Sequence, residues 1–205
     1  MYSVCYWACL LGVLGGMVKS QTVWDVMAFP DPRYEPTRCG RHSDVTESWI
    51  CDPNNIISSD DAAAIDALLK TTERVTTCSC QKCRIENTGY VIMVALMPEM
   101  RRIMNTSNTL GGILQDARVY AYYLSQYWGF TSCGETIIIL YDQNHDVVFT
   151  LTQRDARQLL TDSMVVDITL QNRRFFDTRE KSEIAQGLKN IIQNYQNVLQ
   201  SGTRN

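Results

Sequence analysis

Three of the chain's eight cysteines fall within six positions, in the run CSCQKC from Cys78 to Cys83. Thiols this close can grip a metal, exchange electrons or be locked into disulfides, and the compartment decides which. Zinc would take Cys78, Cys80 and Cys83 but needs a fourth ligand, for which His42 and His145 are the only imidazoles. A redox pair at Cys80 and Cys83 would follow a strand and open a helix, and the flanking sequence does not read that way. The N-terminus decides between these chemistries. MYSVCYWACLLGVLGGMVKSQ holds an apolar run from Ala8 to Val18, too short to span a bilayer, with small residues ahead of a cut after Ser20. It reads as a secretory signal over residues 1–20, although it lacks the usual early basic charge. Removing it discards Cys5 and Cys9 and leaves Cys39, Cys51, Cys78, Cys80, Cys83 and Cys133, an even set in an oxidising compartment. Disulfides are then the expected state, with the pairing left open by spacing alone.

The carboxylates offer a second chemistry. Asp142, Asn144 and Asp146 have the alternation of the first half of a calcium loop, but Val147 stands where the sharp turn wants Gly and Gln153 where a bidentate Glu is needed. Turn chemistry between two strands is the simpler account. Asp52, ahead of Pro53, either caps a turn or faces a cleft as a ligand. No G-x-S-x-G elbow, P-loop or H-E-x-x-H occurs, and with the cysteines bridged no thiol is left to act as a nucleophile. His42 and His145 both sit in polar, irregular sequence, as surface histidines do.

These residues need elements to hold them. Residues 21–55 are broken by Pro30, Pro32, Pro36 and Pro53 and read as an irregular arm tied down through Cys39 and Cys51. From residue 56 to 205 the pattern becomes that of a domain. Ser58 to Asp61 cap a helix carrying Ala62, Ile65, Leu68 and Leu69 and ending near Arg74. GYVIMVALM reads as a strand buried on both faces. Leu110, Ile113, Leu114, Ala117, Ala121, Leu124 and Trp128 define a second helix, leaving Tyr122 and Tyr123 at its flank, either as amphipathic rings at the rim of the core or as anchors for a partner. ETIIILY and VVFTL make a hairpin, Thr152 and Asp155 resemble a capping box for a short helix through Leu160, and a last helix runs from about Thr178 to Leu199. Arg173, Arg174, Phe175 and Phe176 read as a solvated loop first and a receptor contact second. The order predicts a three-layer α/β sandwich with a mixed sheet.

Without Lys19, which leaves with the signal, 18 basic and 22 acidic residues remain, a net charge of minus four and no basic stripe for nucleic acid. No later run is long enough to span a membrane. Asn105-Thr106-Ser107 is a glycosylation sequon, consistent with secretion.

The segments ICDPNNIISSDDAAAIDALL, GYVIMVALM, the helix ending YWGF, IIILYDQNHDVVFTLT and the tail LLTDSMVVDITLQNRRFFDTREKSEIAQGLKNII resemble a TPM-type domain. Within that group FPDPRYEPTRCG, CDPNNIIS and the CxCxxC loop resemble the nematode modulator of levamisole receptor-1 family. That resemblance implies an extracellular glycoprotein domain that accompanies acetylcholine-gated cation channels at neuromuscular junctions, modulates their gating and catalyses no reaction. The founding type is similar to a single-pass membrane protein with a helix after the domain; no such helix follows here, so the expectation is a free secreted modulator that needs its own affinity or a partner to retain it at the cell surface or synapse. TPM-type domains in plants and bacteria are associated with calcium and phosphatase activity. Asp52 and Asp142 resemble the acidic positions of that group and are the candidate metal ligands, making a calcium-dependent phosphatase the alternative.

The disulfide expectation is checked by mass: the secreted protein should weigh six hydrogens less than its fully reduced form, for the six cysteines left after the signal. An unreduced sample that takes up alkylating reagent would contradict it.

Overall fold

Two apolar runs dominate the chain's middle, and each forms a central strand. The computed structural model describes residues 22–86, 88–104, 107–129 and 133–202; residues 1–20, where the secretory signal is expected, and the sequon residue Asn105 lie outside the described residues. The elements are β1 (Val23–Trp24), β2 (Ile50–Cys51), α1 (Ser59–Val75), α2 (Gln81–Glu86), β3 (Val91–Met97), β4 (Glu99–Met100), α3 (Leu110–Tyr127), β5 (Thr136–Asp142), β6 (Val147–Thr152), α4 (Ala156–Leu159), α5 (Asp162–Asn172), a 3-10 turn at Arg173–Phe175, and α6 (Lys181–Gly202). The main sheet runs β2-β3-β5-β6, with β2, β3 and β5 parallel and β6 antiparallel to β5. β1 and β4 form a small parallel pair beside it.

Because β3 and β5 are apolar at nearly every position, both faces of the sheet must be covered. Register puts Tyr141, Ile139 and Thr150 on one face. There α6 closes down, its Tyr195 hydroxyl 2.9 Å from that of Thr150, while Phe176 packs on Tyr141 with ring centroids 5.2 Å apart. α1 lies beside α6, joined to it by a 2.7 Å ion pair from Lys189 to Asp61. α3 packs on β5 and β6 from the face that carries Asp142, with Ala117, Tyr120, Ala121 and Leu124 buried. The result is the α/β sandwich, with a mixed sheet flanked by helices, that the sequence pattern calls for.

Local chemistry explains the helix starts. Ser58, Thr109 and Thr161 each accept an N–H from three residues on, at 3.1, 3.3 and 3.4 Å, the usual N-cap bond. Asp155 does not cap α4: its carboxylate instead accepts the backbone N–H of Ser79 at 3.2 Å and the Ser79 hydroxyl, while Thr152 stays in β6. α6 begins at Lys181, three residues later than its periodicity indicates. α5 was not foreseen, because its apolar residues do not line one face: Val165 and Ile168 are buried but Met164, Val166 and Leu170 are exposed.

The arm is more ordered than its prolines imply. It folds as successive turns, Glu35 N–H to Asp31 O at 2.8 Å and Cys39 N–H to Glu35 O at 3.1 Å among them. Phe29 sits edge-on to Trp24 at 5.3 Å and against Trp128 at 6.2 Å, and Arg33 donates to the Trp128 carbonyl, so the arm seals the C-terminal end of α3. Gly40, at φ +73°, must be Gly, since a Cβ there would stand 2.4 Å from the Asp52 carbonyl oxygen.

All six cysteines among the described residues are bridged, as Cys39–Cys51, Cys78–Cys83 and Cys80–Cys133. Cys80–Cys133 spans 53 residues and Cys78–Cys83 only five. By loop entropy the long bridge should contribute about 4 kcal/mol and the short one about 2 kcal/mol. Paired Cys→Ser replacement of Cys80 and Cys133 is therefore expected to lower the urea midpoint by roughly twice as much as replacement of Cys78 and Cys83. Equal losses would show that the short bridge holds something beyond its own loop.

Candidate functional site

Asp52 and Asp142, the candidate metal ligands, end up in separate structural roles. Asp52 follows β2, and its two oxygens accept the N–H groups of Ile56 and Ile57 at 2.8 and 2.9 Å. Asp142 ends β5, fully buried. It takes the Met100 N–H at 3.0 Å, the His145 N–H at 3.2 Å and the His145 ring at 2.8 Å. Each carboxylate thus ties a loop to a strand end. Burial raises the pKa of both, opposed for Asp52 by the Ile57 and Ile56 bonds and Lys181, and for Asp142 by Met100 and His145. Among the described residues the groups of three potential metal ligands are Cys78, Cys80 and Cys83, and Cys83, Cys133 and Glu135, whose sulfurs are all in disulfides. Neither aspartate belongs to such a group. Asp146 pairs with Arg179 at 3.3 Å, and its φ of 51° supplies the hairpin turn. His42 is exposed beside Ser59, 3.0 Å away.

The CSCQKC loop does open a short helix, α2, contrary to the pattern read from its flanks. It is still no dithiol pair, because Cys80 and Cys83 have different partners. Cys78–Cys83 closes the loop on itself, and Cys80–Cys133 pins it to the segment that enters β5. Asp155 holds Ser79 from the other side, and burial together with that nearby carboxylate pushes the Tyr90 hydroxyl up to about 12.

Cys133 and Gly134 form one wall of an open hollow on the outer face of α3. Tyr122 and Tyr123 line it, with ring centroids 5.7 Å apart and edges to faces. Tyr122 is 53% exposed and Met104, on the facing loop, 52%. That loop is braced from beneath: Asp116, wholly buried on α3, binds Arg102 at 2.7 Å and the Met104 N–H at 2.9 Å. Arg118, Arg154 and Arg157 supply the polar border. An apolar, aromatic patch with a cationic rim on a helix has the composition of a surface that holds another protein. The sequence reading had Tyr122 and Tyr123 but missed the three arginines; the four-residue step from Arg118 to Tyr122 on the exposed face of α3 was the available sign. Phe176, read as part of a solvated loop, is core, whereas Arg174 does stack over Phe175 at 4.9 Å.

Residues 24–146, which include α3 and all six bridged cysteines, match the family model for modulator of levamisole receptor-1. The chain belongs to this family. No curated protein matches it in sequence. The fold is similar to the solution NMR structure of the N-terminal domain of a protein from P. gingivalis, at 13% identity and a TM-score of 0.58, over 90% of this chain and 96% of that one. At that identity the likeness concerns the fold alone, and it extends past residue 146 through the helices that the family model does not match.

The raised carboxylates give a sign for pH. A folded pKa above the unfolded value contributes stability that is fully present below the unfolded pKa and is lost as pH rises through the folded one. Asp142→Asn removes that titration and sets an amide against a backbone N–H, at a cost of about 1–3 kcal/mol. Urea unfolding should therefore show a larger deficit for Asp142→Asn near pH 4 than near pH 7, since the free carboxylate titrates at about 3.9. A deficit that grows with pH would reverse the assigned shift.

Proposed function

We propose that this family member is a secreted auxiliary protein that modulates a levamisole-sensitive acetylcholine-gated cation channel, docking through the outer face of α3. Family membership over residues 24–146 carries the proposal, and the exposed Tyr122 and Tyr123 beside a disulfide-pinned wall give it a surface. The three disulfides suit an extracellular site, and among the described residues no helix is long and apolar enough to cross a membrane. In this role the protein catalyses no reaction: it shifts a gating equilibrium by binding one channel state better than another. The carboxylates an enzyme of the calcium-dependent phosphatase type would use, Asp52 and Asp142, are engaged in holding loops.

Acetylcholine-evoked current from a nematode levamisole-type receptor in oocytes tests the proposal, with the chain co-expressed under its own leader. The expected outcome is a changed amplitude or a shifted dose response. The double variant Tyr122→Ala, Tyr123→Ala alters only exposed rings and should leave folding intact while weakening the effect, by about 2 kcal/mol in apparent affinity if these are anchoring residues. An unchanged current with oxidised, secreted protein would overturn the channel partner. Calcium-stimulated hydrolysis of p-nitrophenyl phosphate by the purified protein would support the phosphatase instead.

A further inference from the structure

β6 is the last strand of the sheet, and no described strand pairs with its outer edge. Gln153 N–H donates to Thr136 O at 3.0 Å, which marks a hydrogen-bonded pair; alternation along the register then turns the N–H and C=O groups of Val148, Thr150 and Thr152 away from β5. Edges left open are ordinarily blunted by lysines, prolines or bulges, and VVFTLT has none of these. A groove of about 390 Å³ runs along the strand from Val147 to Leu151, between α3 and α5. Its walls are apolar and open to solvent, Leu110 being 53%, Val166 54% and Leu170 60% exposed. That accounts for part of the irregular pattern of α5: Ile168 is buried, Val165 is buried at the edge of the groove, and Val166 and Leu170 line it while exposed.

The groove's charges are uneven. Arg157 is paired with Asp162 at 3.2 Å and Arg173 with Asp177 at 3.8 Å, while Arg118 at the α3 wall enters no ion pair among the described residues. We infer that the β6 groove binds an extended segment of a partner protein that adds a strand to the sheet, places alternate apolar side chains between α3 and α5, and carries an acidic residue at Arg118. Backbone pairing would supply affinity and the two walls would select the alternating side chains. The inference reaches beyond channel modulation, since it holds whichever protein carries the segment and involves strand β6 and helix α5, outside the matched residues 24–146.

Fluorescence anisotropy on the full secreted chain tests it, with a labelled peptide of sequence Glu-Val-Thr-Val-Thr-Val-Thr-Val as the probe. Saturable binding is expected, at least about tenfold weaker for the same peptide N-methylated at every internal amide, which keeps the side chains but leaves neither edge able to donate to β6. Leu170→Asp and Arg118→Glu alter exposed positions and should each weaken the parent peptide about tenfold, whereas Tyr122→Ala with Tyr123→Ala should leave it unchanged. Equal affinity for the methylated peptide, insensitivity to Leu170→Asp, or no saturable binding would overturn the inference. Concentration-dependent dimerisation in sedimentation, abolished by Leu170→Asp, would also overturn it by making the groove a contact between two copies. A failed channel recording leaves these outcomes untouched, and a failed peptide titration leaves the channel reading untouched.

Discussion

The structure depends on two neighbouring strands that cannot tolerate water on either face. β3 is buried at six of its seven positions and β5 at all seven, and they lie side by side in parallel register. A single covering layer would leave half of these side chains wet, so the chain has to supply helices twice. It does so with α1 and α6 on one face and α3 on the other, each fastened by a specific polar contact as well as by packing: Tyr195 to Thr150, Lys189 to Asp61, Arg102 to Asp116. The arm completes the cover where α3 runs out, by inserting Phe29 between Trp24 and Trp128.

Buried carboxylates recur as loop holders in this acidic chain. Asp66 on α1 receives the Trp49 N–H at 2.7 Å and the Ser48 hydroxyl at 3.1 Å, fixing the approach to β2. Asp52, Asp116 and Asp142 hold backbone N–H groups in the same way. A loop that leaves a strand end exposes donors which must be satisfied if the loop is to lie against the core, and an ionised carboxylate is the strongest small acceptor available. Desolvation opposes this, which is why the pKa values of Asp52 and Asp142 rise although both are richly hydrogen-bonded. An aspartate at the end of a strand therefore has the same sequence appearance whether it holds a loop or a cation.

That ambiguity accounts for much of what the sequence could and could not convey. Long apolar runs and clean helical spacing placed β3, α3, β5, β6 and the body of α6 close to where they lie, because burial on a regular element leaves a periodic trace. The cysteine set was legible from the secretory reading, but the pairing depends on which segments meet in space, and Cys80 meets Cys133 across 53 residues. α5 escaped because its apolar residues serve two surfaces at once. The arm's turns escaped because prolines signal a break in regular structure without revealing that Phe29 behind them is fully buried.

Rigidity and openness are unevenly distributed over the molecule. Two of the three disulfides and the Asp155 clasp on Ser79 gather at the entrance to β5, behind the wall of the α3 hollow. A surface that must bind without reorganising gains from such fixing, since ordering a loop on association would cost part of the affinity. The β6 edge is fixed differently. It is held by β5 on one side only, and the helices beside it stand apart instead of closing over it. On α5, Val165 and Ile168 are buried, whereas Val166 and Leu170 stand exposed along the groove. Their outward placement keeps apolar side chains in water at a standing cost, one that a strand laid along β6 would recover.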